Sequence, residues 1–296
     1  MERTMSRAQE IERSIIKKFR KPIWNRFIAG IKNYELIKPG DKIAVCISGG
    51  KDSMLLAKCM QHLQQYSEIP FEVRYISMDP GYAPANRALI EENAAALGIP
   101  VEFFDSSIFE VVTKVERSPC YLCARMRRGF LYNRAQELGC NKIALGHHFD
   151  DVIETTLMSM FYAAEYKTMM PKLHSINFPG MELIRPLYQV READIIAWSK
   201  YNGLRFLQCA CRFTENNPYI ELGGDSKRAE TKALIRQLRE INPQVDINIF
   251  QSLHNVNLET IIGCERFGKQ YNFLDDYDDP KRREHACFYH REESEA

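Results

Sequence analysis

Lys42-Ile43-Ala44-Val45-Cys46-Ile47-Ser48-Gly49-Gly50-Lys51-Asp52-Ser53 is the stretch whose reading decides the fold. Its first half is a short apolar run with β-branched residues, introduced by Pro39-Gly40, and it predicts a buried strand. The run ends at a glycine pair, and helical spacing follows over residues 54–65. In a strand–glycine–helix junction, the loop N–H groups and those opening the helix have no backbone partners and point at an anion. Gly49 and Gly50 let the backbone turn sharply and approach a ligand closely. Ser48 and Ser53 add hydroxyl donors, Lys51 a mobile positive charge, and Asp52 a carboxylate able to hold Mg²⁺ beside phosphates. The loop therefore suits a polyphosphate, although the G-x-x-x-x-G-K-[ST] spacing is absent.

The same alternation extends outward. Strands are expected at 71–78, 101–104 and 142–145, and helices at 88–97, 125–138, 151–162 and 192–202. Strand and helix in turn imply a parallel sheet covered on both faces, a doubly wound α/β fold. Upstream, residues 7–34 carry Ile11, Ile15, Ile16, Phe19, Ile23, Phe27 and Ile31 at helical spacing, with Pro22 as an interruption. This segment is basic, and the preferred reading is a solvated helical face packed on the domain, with a surface for RNA as the sharper one. Residues 165–190, with Pro171, Pro179 and Pro186, read as a loop or lid leading to a short strand near Leu183 and Ile184. Helices are expected at 226–240 and 250–260, and a charge-dense, mobile tail from 275. The organisation is then a helical segment over 1–38, a nucleotide-binding domain over 39–205, and a helical extension over 206–296.

Composition narrows the class. The 296 residues are 45% hydrophobic, and 40 basic residues balance 39 acidic ones. The chain is long enough for a sizeable core, and the whole molecule is not a magnet for nucleic acid, although a basic face remains open. No apolar stretch approaches the roughly 20 residues that span a bilayer, and the first 20 residues lack the apolar core of a secretion signal. A cytoplasmic, non-membrane protein is expected. Its nine cysteines are an odd number without a secretion signal, so clustered thiols read as metal-binding or catalytic, not disulfide-bonded. Cys120 and Cys123 form a C-x-x-C just before the helix at 125–138, which fits half a zinc site, a redox dithiol or part of an iron–sulfur site. Cys209-Ala210-Cys211 forms a second pair. Cys46 and Cys140 adjoin strands and read as small core residues, while Cys59, Cys264 and Cys287 carry no assignment.

The loop resembles the SGGxDS signature of the PP-loop ATP pyrophosphatases. That resemblance implies ATP bound at the carboxyl ends of a parallel sheet and cleaved between its α and β phosphates, leaving AMP on a substrate carbonyl oxygen. It places Met78, at the end of the second strand, against adenine through its backbone. It brings Gly146, His147 and Asp151 of Gly146-His147-His148-Phe149-Asp150-Asp151 to the nucleotide. Asp150 and Asp151 are too acidic to face phosphate bare, and need a metal or a helix-capping role.

The order of Ser48–Ser53, Cys120 to Gly129, Ala144 to Asp151, Arg185-Pro186-Leu187 and Ser252-Leu253-His254-Asn255-Val256 is similar to the tRNA 2-thiocytidine synthetases (TtcA-like) over about residues 40–260. The resemblance implies an ATP-dependent sulfurtransferase that adenylates C2 of a cytidine in the tRNA anticodon loop and replaces oxygen by sulfur. It also implies a [4Fe-4S] cluster on three cysteines, with an iron left open to hold sulfur. Asp52, Cys120 and Cys123 take the catalytic roles, and Cys120, Cys123 and Cys209 the cluster ligands. The chain departs from the family's P-C-x-x-C-G at Gln208-Cys209-Ala210-Cys211-Arg212, which makes Cys211 the rival of Cys209. Arg125, Arg127, Arg128, Lys167, Lys172 and Arg185 face either phosphate or solvent. The partners implied are tRNA, a sulfur donor such as a cysteine desulfurase or sulfide, and a second copy meeting the N-terminal helices. The alternatives are thiolation of another base or a small molecule, and a non-catalytic ATP- and cluster-binding sensor.

Overall fold

A computed structural model describes residues 5–106, 108, 119–207 and 227–280. Two compact units divide it, Met1–Ile241 and Asn242–Ala296. The first contains six strands: β1 (Lys42–Cys46), β2 (Glu72–Asp79), β3 (Val101–Asp105), β4 (Lys142–Ala144), β5 (Lys172–His174) and β6 (Glu182–Ile184), in the order β3-β2-β1-β4-β6-β5. β1 lies parallel to β2 and β4, with Val45 level with Tyr75 on one side and Ala144 on the other. Ile43, Ala44, Val45 and Ile143 are wholly buried, which explains why these strands read as continuous apolar runs.

Successive side chains of β1 feed different cores, as strand alternation requires. Ile43 and Val45 join one core with Met54, Leu55, Ile90 and Trp198. Ala44 and Cys46 join another with Tyr132, Ala135, Ile143 and Leu183. The helices behind these residues are α3 (Lys51–Tyr66), α4 (Pro84–Leu97) and α7 (Glu192–Tyr201) for the first core, and α5 (Pro119–Glu137) for the second. The sheet is covered on both faces, as a doubly wound α/β fold requires. Helix α6 (Phe149–Ala163) follows β4, and α8 (Lys227–Ile241) packs along it.

The N-terminal residues belong to the same first core. Helix α1 (Arg7–Ile16) starts at a capping box between Ser6 and Gln9, and α2 (Asn25–Asn33) follows a π-helical turn at Arg20–Trp24 that contains Pro22. Proline cannot donate its i→i−4 bond, and the widened turn absorbs that loss. Ile11, Ile15, Phe19, Ile23, Phe27 and Ile31 all pack into the core of the sheet.

Four expectations differ from the structure. The region expected as a plain loop contains β5, an antiparallel edge strand on β6; at three residues it is too short for periodicity to register. Helix α5 starts at Pro119, well before 125, so Cys120 and Cys123 lie in its first turns and not ahead of it; proline is favoured at a first helical position. In the second unit, the helix expected at 250–260 is α9 (Val245–Ser252), followed by a 3₁₀ turn at Leu258–Thr260. Asn255 and Asn257 interrupt it, with the Asn257 side chain capping Glu259 N at 3.0 Å. The second unit is also not purely helical. A hairpin of β7 (Gly263–Arg266) and β8 (Lys269–Asn272) closes it, followed by a capped turn at Phe273–Asp275. The tail beyond 280 lies outside the described residues. Among the described residues, no helix is long and apolar enough to cross a membrane.

Candidate active site at the sheet's switch point

The chain leaves β1 toward β2 and β3 on one side, and returns to β4 on the other. Between β1 and β4 the winding reverses, and ligands of open α/β sheets bind at the carboxyl ends of such strands. Two loops meet there, Ser48–Gly50 after β1 and Leu145–His148 after β4. Their contact is close enough to require glycine. A Cβ on Gly146 would lie 2.9 Å from Ser53 N and 3.0 Å from Asp52 C, both backbone atoms that cannot yield cheaply. Gly49 has φ +82°, and a Cβ there would strike the Ile90 side chain at 2.7 Å. Ser53 ties the loop together: its Oγ accepts from Ser48 N at 3.2 Å, lies 3.2 Å from Ser48 Oγ, and donates to Gly50 O at 3.0 Å.

A cavity of about 300 Å³ opens at this junction, and its lining includes Ser48, Asp52, Ser53, Met78, Gly146, His147 and Asp151. Seven of the sequence-derived site residues therefore share one wall. Gly50 and Lys51 line a neighbouring cavity of about 710 Å³, which shares Ser48, Asp52, Tyr82 and Arg127 with the first. Tyr82 is seated by Asp79, whose Oδ1 accepts from Gly81 N at 2.8 Å and Tyr82 N at 2.7 Å, while Oδ2 pairs with Arg87.

Paired charges hold the rim. Lys51 Nζ lies 3.2 Å from Asp52 Oδ2 and 3.1 Å from Glu192 Oε1. Burial works against its charge, but these two carboxylates outweigh burial and raise its pKa. Burial pushes the Asp52 carboxyl up despite His148 and Lys51, and Asp52 Oδ1 is buried with no hydrogen bond reaching it. Burial also opposes the Glu192 carboxylate, yet Lys232 at 2.7 Å and Lys51 hold its pKa down at about 2. His147 goes the other way: burial, then the charge of Arg185, lowers it to about 4, and its Nδ1 has no hydrogen-bond partner.

Asp150 and Asp151 have the capping roles their acidity demanded. Asp151 Oδ2 accepts from His148 N at 3.0 Å, closing a capping box at the start of α6. Asp150 Oδ2 accepts from Glu192 N at 2.7 Å, so it caps α7 from another helix. The remaining oxygens are met from α8. Arg228 lies 3.0 Å from Asp151 and 2.9 Å from Glu154, and Arg239 lies 2.8 Å from Asp150.

Glu192, Tyr82, Arg228, Lys232 and Arg239 belong to this site and were absent from the sequence-derived set. For α8 a signal was available: positions 228, 232 and 239 follow the four- and seven-residue spacing of one helix face. Nothing in Glu192 by itself distinguishes it from any other first-turn acid.

Helix α5 carries the C-x-x-C positions in its first turns. Arg127 and Leu131 of that helix line the 300 Å³ cavity, and Cys123 precedes Arg127 by one turn, about 6 Å along the axis. Cys209 and Cys211 lie outside the described residues. Leu207, just before them, donates from N to Gly49 O at 3.4 Å and lines the larger cavity. Cys46 and Cys140 are buried in the second core, and Cys59 is buried in the first. Among the described residues, no three His, Cys, Asp or Glu side chains converge on a metal position.

Residues 14–212 match the PP-loop domain family. A tRNA-cytidine(32) 2-sulfurtransferase of Geotalea uraniireducens is 36% identical over 238 residues, covering 79% of this chain and 91% of that protein. This chain belongs to the tRNA-cytidine(32) 2-sulfurtransferase family. A member from Burkholderia multivorans is 35% identical over 86% of this chain and 75% of its own length. The sulfurtransferase fold also superposes on the U34-tRNA thiolase NcsA from Methanococcus maripaludis with its [4Fe-4S] cluster. The TM-score is 0.62 at 19% identity, covering 81% of this chain and 80% of the other, a likeness of fold.

Proposed function

We propose that this protein uses ATP to activate C2 of a tRNA cytidine and replaces its oxygen by sulfur. The observation that carries the reading is convergence. The nucleotide loop, helix α5 with Cys120 and Cys123 in its first turns, and Leu207 two residues before Cys209 all meet at one cavity.

The residues present fit the nucleotide. Ser48, Gly49, Gly50 and Ser53 offer N–H and hydroxyl donors at a helix start to the phosphates. Lys51 is held charged beside them and exchanges its carboxylate partners for phosphate oxygens. Asp52 Oδ1, buried without a hydrogen bond and 3.8 Å from His148 Nε2, fits Mg²⁺. One carboxylate suffices, because that ion completes its shell with phosphate oxygens and water. Met78 lines the wall where adenine would lie, and Gly146 keeps the floor flat. His147, neutral at pH 7, offers a hydrogen bond without adding charge.

Attack of the C2 oxygen on the α-phosphate forms an O-adenylate and releases pyrophosphate. Sulfide sulfur then bonds to C2 and AMP leaves, so the sum is ATP, cytidine and hydrosulfide giving 2-thiocytidine, AMP and pyrophosphate. Cys120 and Cys123, at a helix N-terminus that favours thiolates, with Cys209 as third ligand and Cys211 as its rival, would hold a [4Fe-4S] cluster. That group supplies a site from which sulfur is delivered. Sulfide or a cysteine desulfurase is the donor in this reading, and the cytoplasm is the setting. A homodimer contact through the N-terminal helices would be polar, since their apolar stripe is consumed in the fold.

Nucleoside analysis of tRNA from a strain lacking the protein tests the reading. 2-Thiocytidine should disappear, and an unchanged thionucleoside profile sinks it. Anaerobic reconstitution of C209A and C211A separately should cost one variant its iron. If both retain about four irons, the ligand assignment is wrong.

A further inference from the structure

The second unit contains a turn whose residues suit neither stability nor solubility. Strands β7 and β8 pair with Arg266 opposite Lys269, leaving Phe267-Gly268 as a two-residue loop. Both loop residues are at positive φ, 53° and 74°. Hairpin turns of this hand favour Asn-Gly, Asp-Gly or Gly-Gly, because a Cβ in the left-handed region crowds the carbonyl oxygen. A phenylalanine there is a conformational outlier.

Among the described residues, no apolar side chain covers the ring. Phe267 is 95% exposed. The tip carries a second unfavourable feature, since like charges placed directly opposite across a strand pair destabilise it. The Arg266 guanidinium lies 5.2 Å from the Phe267 ring centroid, and Lys269 Nζ lies 5.0 Å from that of Tyr271. A strained backbone, a bare aromatic ring and two facing cations thus occupy four consecutive positions. Each is a cost to the free protein, and one kind of partner offsets all three: a flat π-face bearing anions on either side.

We propose that the β7–β8 tip is an RNA contact, in which Phe267 stacks on an unpaired base while Arg266 and Lys269 take its flanking phosphates. Base–aromatic stacking is tolerant of sequence, and cations beside an aromatic ring are the usual composition of single-stranded nucleic-acid surfaces. A protein partner would more readily be met by the apolar ring alone, without a facing pair of cations. The inference rests on the tRNA substrate proposed above, and adds a contact made by residues other than those of the nucleotide site.

The variant F267N, in the full-length protein, separates strain from function. It installs Asn-Gly, so the melting temperature should stay the same or rise, while affinity for a tRNA transcript falls about tenfold. F267W should keep the affinity. The double variant R266Q/K269Q should flatten the dependence of log K on log salt by between one and two. If wild type binds and thiolates tRNA and F267N binds equally well, the contact is refuted and the proposed function stands. If wild type binds no tRNA at low salt, both fall. If F267N leaves RNA affinity intact but changes the elution volume of the protein, the tip is a protein interface and the proposal is wrong.

Discussion

Gly49 and Phe267 both turn the chain at positive φ, and they could hardly differ more in what surrounds them. At Gly49 every neighbour explains the residue. The backbone is left-handed, Ile90 fills the space a side chain would need, and Leu207 closes over the loop through a hydrogen bond. At Phe267 no apolar packing among the described residues explains it: the residue type opposes the backbone, the ring is 95% exposed, and the flanking charges repel. When local preference and tertiary packing agree, a turn is accounted for by the fold it serves. When they disagree with nothing gained inside the molecule, the disagreement points outward to a ligand.

Substitutions can break that contrast. The largest effect should come from the loop contact, because the nearest atoms to a Cβ at Gly146 are backbone. G146A should displace the Ser53 amide by a sizeable fraction of an ångström and cost about a hundredfold in tRNA-dependent AMP formation. An unimpaired enzyme would show that the two loops are not held in register. Next, K51M should weaken ATP binding by roughly ten- to a hundredfold, as the loss of a charge-assisted contact of about 1.5–3 kcal/mol. Isothermal titration with a non-hydrolysable analogue measures it.

A third test concerns charge. Glu192 has its pKa held at about 2, below the ordinary carboxylate value of 4.5. The unfolded chain therefore binds the proton first. The stability this pairing contributes is present above about pH 4.5 and is lost as pH falls through about 2. Chemical denaturation of wild type and E192Q should give a difference that shrinks over that window, and a pH-independent difference would dissolve the assigned pairing with Lys232 and Lys51.

The smallest effects sharpen the comparison. F267N should stabilise the protein by about 1 kcal/mol through relief of the left-handed strain. Ala164, the α6 C-cap, is also left-handed, at φ 53°. A164G should give about 0.5 kcal/mol, since glycine's gain there is partly cancelled by its greater unfolded freedom. If A164G stabilises and F267N destabilises, the ring at 267 has an intramolecular role.

Much of the nucleotide site is legible in the sequence. Ser48–Ser53 announces an anion loop because strand, glycine pair and helix are local features, each with its own periodicity or residue type. The acidity of Asp150 and Asp151 announces that something must meet them. What meets them is not legible: Arg228 and Arg239 are 77 and 89 residues away, and one more basic helix face looks like solvated surface until its partner is known. The start of α5 is hard to place from sequence because a proline interrupts a helix as readily as it opens one, and Pro119 opens it. The hairpin at 263–272 is hidden because charged residues mask the alternation of a short strand.

The sequence by itself determined the parallel α/β fold and the loop at its centre, since those follow from interactions among near neighbours along the chain. Only the tertiary structure decided which carboxylate meets which cation, why Gly146 tolerates no side chain, and that Phe267 stands bare at a strained tip. These are matters of contact between distant segments, or of contact withheld, and packing in space is what sets them.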